Sequence, residues 1–91
     1  MGHKKGPQAA EASRVLAPNL VKLRRRVALS QEATAERAGL HRGEVAFIEA
    51  RKRLPRLDTI VKLAGAVEVQ PCALLEGMTW RLDSGAEDES K

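Results

Sequence analysis

Gly39 sits between two stretches that each read as a short helix, and that arrangement limits what the chain can become. Residues 30–49 run SQEATAERAGLHRGEVAFIE. Ser30 is a good N-cap, because its hydroxyl can accept a hydrogen bond from an unpaired amide of the first turn. Gln31 to Ala38 carries small residues suited to close helix contact. Gly39 takes a positive φ at little steric cost and so ends that helix. Leu40 follows as an apolar anchor, His41 stands at the next N-cap position, and a second helix is expected over residues 42–50. Helices this short are held by tertiary packing, and the rest of the chain reads as the scaffold that supplies it.

A helix, a glycine turn and a second helix is also the arrangement that enters the major groove of DNA. The charge agrees with it. Ninety-one residues allow one small domain, with a formal net charge of +4. Residues 83–91 hold four acids and one base, so residues 1–82 carry +7. So basic a body points to a polyanion, with nucleic acid ahead of an anionic membrane. No apolar run approaches the ~20 residues of a membrane span. The start MGHKKG lacks the Ser or Thr of a myristoylation signal, and no signal-peptide segment follows. The expected location is the cytoplasm. The lone Cys72 fits a reducing compartment and is expected as a small buried side chain. With Phe47 and Trp80 as the only aromatics and few strand candidates, the core is expected to be all-α.

Along the chain, residues 1–8 are polar, basic and broken by Gly and Pro, and read as a disordered basic tail. A solvated tail is favoured there over a backbone-binding arm built on His3 and the two lysines. Residues 9–77 hold the folded domain. Leu16, Leu20, Leu23 and Val27 recur on one helical stripe, opposite Lys22, Arg25 and Arg26. Pro18 interrupts the pattern. A helix starting near Pro18 after a looser turn is favoured over a longer, kinked one. Pro55 forces the second helix of the central pair to end before Leu54. Leu57, Ile60, Val61, Ala64 and Val67 then form one broad apolar face. Pro71 opens a last short helix running to about Glu76, and Gly77 closes it. Residues 78–82 alternate apolar and polar as an extended segment, and residues 83–91 read as an acidic disordered tail.

These positions together resemble a known family. Leu20 and Leu23-Arg24 precede Leu29-Ser30-Gln31-Glu32. Ala35, Ala38-Gly39-Leu40, Val45 and Ile48-Glu49 follow, then Pro55, Leu57-Asp58-Thr59, Val69 and Leu74-Leu75. Over residues 16–77 this resembles the Cro/C1-type helix-turn-helix domain of lambda-repressor-like regulators. The resemblance implies five helices with a short extended C-terminal segment, and a homodimer bound to double-stranded DNA at a palindromic operator. It implies that Gln31 clamps a phosphate, that Arg56 reaches the minor groove, and that Arg24 and Glu49 form a structural ion pair. Three residues depart from the family pattern. Thr34 replaces a leucine and is expected to loosen the core. Arg51 replaces a glycine at a position that, if left-handed, costs on the order of 1 kcal/mol. His41 replaces Ser or Thr.

On the second helix Val45, Ile48 and Glu49 share the inner side, leaving Arg42, Gly43, Ala46, Phe47 and Ala50 outside. Arg42 is the side chain able to bond guanine in bidentate fashion. Gly43 permits close backbone approach, and Ala46 and Phe47 suit thymine methyls. Phe47 facing DNA is weighed against Phe47 folding onto its own domain or a dimer mate. Glu44 is expected to cap its own helix rather than accept from cytosine. Sequence readout is thin, so DNA shape is expected to contribute. Gln31, Arg51, Lys52, Arg53 and Arg56 are the candidate contacts to the DNA backbone.

Nothing in the sequence suggests an enzyme. His3, His41 and Cys72 lack metal-ligand spacing, no glycine loop suits a phosphate cofactor, and no nucleophilic triad is grouped. No metal or cofactor is expected. Trp80 and Leu82 are the candidate dimer contacts, with strand pairing about a twofold axis favoured over folding back onto the first helix. The alternative function is an antitoxin or adaptor whose Phe47 and Trp80 face binds a protein partner.

Overall fold

The computed structural model describes residues 8–79, and they form five helices. These are α1 (Gln8–Arg26), α2 (Gln31–Ala38), α3 (Glu44–Glu49), α4 (Leu57–Ala66) and α5 (Pro71–Leu74). α1 lies against α3 and α5, α2 against α3 and α4, and α4 against α5. The core they enclose is built from small and branched side chains: Leu16, Leu20 and Leu23 of α1, Ala35 of α2, Val45 and Ile48 of α3, Leu63, Ala64 and Val67 of and just after α4, and Leu74 of α5. Among the described residues no aromatic ring is part of it.

Four expectations are corrected. α1 does not start near Pro18 but at Gln8, inside the segment expected to be tail, and it runs through the proline. Pro18 is exposed, and the carbonyl that loses its amide partner belongs to Arg14, which is exposed too. Solvent can therefore satisfy it. The face of α4 keeps Ile60, Ala64 and Val67 on the core side but is rotated away from Leu57 and Val61. Leu57 is 74% exposed and Val61 50%, whereas Thr59, Leu63, Ala64 and Ala66 are buried. Packing on both α2 and α5 selects that side. Third, Cys72 is exposed, because the short α5 turns Leu74 rather than Cys72 into the core. Fourth, α5 ends at Leu74, and a turn leads from there to Gly77 at φ +87°.

Thr34 is fully buried without being a polar defect. Its hydroxyl donates to the Ser30 carbonyl at 2.8 Å. The hydroxyl is thus satisfied inside the core by a bond to the turn before it. Four helix ends share one device. In each, a left-handed residue is followed by an amide that reaches back five positions: Leu29 to Arg24, Leu40 to Ala35, Lys52 to Phe47 and Val69 to Ala64. The left-handed residues are Ala28, Gly39, Arg51 and Glu68, at φ +60°, +71°, +64° and +66°. Only one is glycine. Met78 packs partly on the core, while Trp80, Leu82 and the acidic tail lie outside the described residues.

Candidate nucleic-acid interface

α3 is too short to be stable alone, and its orientation is set from behind. Val45 and Ile48 seal its inner face. Beside them Arg24 Nε donates to Glu49 Oε2 at 2.7 Å and Arg24 Nη2 to Glu49 Oε1 at 3.0 Å. Arg24 Nη1 donates to the Leu29 carbonyl at 2.9 Å, and Gln31 Nε2 to Glu49 Oε1 at 2.8 Å. One carboxylate thereby joins the end of α1, the start of α2 and the end of α3. The Glu49 hydrogen bond raises the Arg24 pKa; burial opposes this and the Glu49 charge reinforces it. With side chains only 10% and 6% exposed, the pair is structural.

The start of α3 differs from expectation. The helix begins at Glu44, with Gly43 rather than His41 at its N-cap and no side-chain cap bond. The Glu44 amide bonds the His41 carbonyl at 3.0 Å, so Arg42 and Gly43 form a tight turn that leads into the helix. Glycine has no side chain to cap with, and the turn takes over the first amide. This places Arg42 in front of the helix rather than on its flank.

Outward from α3 stand the expected groups. Arg42 has its side chain 82% exposed and approaches Glu32 only at 3.9 Å. Gly43 is exposed, Ala46 is half-buried, and Phe47 is 47% exposed. After the helix come Arg51, Lys52 and Arg53, all exposed. Arg51 is left-handed, the case in which its place at a glycine position was expected to carry strain. Arg53, its side chain 53% exposed, leans back on α3: its guanidinium lies 5.5 Å from the centre of the Phe47 ring and 3.6 Å from Glu44. Arg56, 81% exposed, bonds Asp58 at 3.0 Å. Slight dehydration pushes the Asp58 carboxyl up, but the Arg56 hydrogen bond and charge, the Thr59 amide and Lys62 together hold it below the usual range. Gln31 is at the first turn of α2, half-buried, with its side-chain amide on Glu49.

Two supporting residues have no signal in the sequence. Asn19 Nδ2 donates to the carbonyls of Leu74 and Glu76 at 2.9 and 3.0 Å, tying the last turn to α1. Arg37 Nη1 donates to the Ala66 carbonyl at 2.8 Å at the end of α4. Both are polar residues on helices whose partners lie far along the chain, where no spacing rule reaches.

The helix-turn-helix family model HTH_3 matches residues 20–74, more than half of the chain. The chain belongs to the Cro/C1-type helix-turn-helix family. Two solved structures are similar to it. The restriction-modification controller protein C.AhdI from Aeromonas hydrophila is 33% identical with a TM-score of 0.70, over 76% of this chain and 99% of that one. The hypothetical transcription factor NHTF from Neisseria is 31% identical with a TM-score of 0.69, over 82% of this chain and 86% of that one. No curated protein matches the chain. The family match makes this a DNA-binding chain of the helix-turn-helix class.

Proposed function

We propose that this chain is a sequence-specific transcriptional regulator, of the kind its controller and transcription-factor relatives represent, acting in the cytoplasm as a homodimer on a palindromic operator. The observation that carries the reading is the two-sidedness of α3. Its inner side is fastened by the Arg24–Glu49 pair, and its outer side offers Arg42, Gly43, Ala46 and Phe47 beside a run of exposed cations. Arg42 reads guanine, while Gly43 and Ala46 let the backbone and a methyl group close on the base edges. Gln31 and the first amides of α2 hold a phosphate, and Arg51, Lys52, Arg53 and Arg56 follow the sugar-phosphate edge.

Operators selected from random duplexes test this. A palindrome with guanine at the Arg42 position is expected, and a dimer neutralising ~6–10 phosphates loses about 10³–10⁵ in affinity between 50 and 200 mM salt. Arg42→Ala then lowers discrimination at that guanine by about 1–3 kcal/mol. The half-exposed Phe47 and the exposed Leu57 and Val61 favour, as a second reading, an antitoxin or adaptor with a protein partner. Such a protein shows little duplex affinity at any salt and keeps its activity in Arg42→Ala.

A further inference from the structure

Phe47 is an aromatic on an outer helix face, yet its ring is not free. One neighbour is the exposed Gly43 one turn earlier, where an added Cβ would meet Phe47 Cε2 at 4.0 Å. Another is the Arg53 guanidinium, 5.5 Å from the ring centre. Glu44, with only 18% of its side chain exposed, holds the same guanidinium at 3.6 Å. Arg53 follows the left-handed Arg51, which turns the chain back toward α3 after its last residue. A long cation in a loop ordinarily samples many rotamers, and fixing it on binding costs conformational entropy. Here an aromatic face and a carboxylate bias it beforehand, while its side chain stays 53% exposed and open to a phosphate.

We infer that Phe47 is a positioning residue for Arg53: its ring, with Glu44, holds the guanidinium against the end of the recognition element, ready for the duplex. This rests on the DNA-binding reading, and it changes the part Phe47 plays within it. The ring acts through Arg53 rather than through a thymine methyl. A guanidinium is attracted to the ring face by the aromatic quadrupole, and a leucine of similar apolar bulk offers no such face. Phe47 lies outside the core, so its replacement leaves the fold in place.

The test uses the full chain and a duplex carrying its selected operator, with Phe47→Leu, Phe47→Trp, Arg53→Ala and the double variant Phe47→Leu/Arg53→Ala. Phe47→Leu is expected to weaken binding about two- to fivefold, the size of an exposed cation–π contact, and Phe47→Trp to restore it. In the Arg53→Ala background Phe47→Leu causes no further loss. In the DNA-free protein, the Arg53 side-chain protons show an upfield ring-current shift by NMR that Phe47→Leu abolishes. Additive losses in the two single variants, or Arg53 protons at unshifted positions, overturn the inference while leaving the regulator reading intact. Failure of the unaltered chain to bind any duplex overturns that reading, and this inference with it.

Discussion

At the residue scale the decisive group is the Glu49 carboxylate. It accepts from Arg24 twice and from Gln31 once, and so fixes three helices relative to one another. Replacing Arg24 with methionine keeps much of its length and removes its charge, leaving Glu49 buried with Gln31 as its remaining side-chain donor. Arg24→Met is therefore expected to cost about 3–5 kcal/mol in urea unfolding, near the lower end because Gln31 remains. The same residue shows how much the sequence conveys. The pairing of Arg24 with Glu49 was expected only by family resemblance, since residues 25 positions apart obey no local rule. Gln31's bond to the same carboxylate was not expected at all. Cys72 illustrates the converse: a residue type often buried is exposed here, because one turn of helix can present only one side to the core.

At the element scale, helix ends were legible where a residue type announces a backbone state. Ser30, Gly39 and Pro71 each mark a boundary that the structure respects. The other left-handed ends carry ordinary side chains, and only the resemblance flagged Arg51. All three are exposed, and Ala28 is the cleanest to test because only a methyl group is lost there. Ala28→Gly relieves the left-handed strain at some cost in unfolded-state entropy, and a net gain of about 0.5–1 kcal/mol is expected by thermal or chemical unfolding. Pro18 was read as a boundary because proline ordinarily is one. Inside an exposed part of α1 it instead leaves the Arg14 carbonyl to solvent. Pro18→Ala supplies the missing amide and is expected to stabilise the protein by about 1–3 kcal/mol, measured the same way. An unchanged or lowered stability would mean that the proline itself packs against something α1 needs.

At the scale of the whole molecule, one long and four short helices make one core, and a single recognition element covers few base pairs. Two such elements about 34 Å apart would span one turn of duplex. The segment proposed to join two copies, residues 78–82 with Trp80 and Leu82 as anchors, begins at Met78, which packs partly on the core. A truncation ending at Gly77 is expected to be monomeric by light scattering, and a dimer of unchanged mass would assign the interface elsewhere. The exposed Leu57 and Val61 are the first place to look in that event.

By itself the sequence determined the all-α class, the glycine turn between α2 and α3, and which side of α3 faces inward. These follow from residue type and from a 3.6-residue period, both local properties of the chain. Only the tertiary structure decided that α1 runs on through its proline, that α4 turns Leu57 and Val61 outward, and that Arg53 rests on Phe47. Each depends on what stands next to the segment in space, and periodicity along a chain carries no record of that.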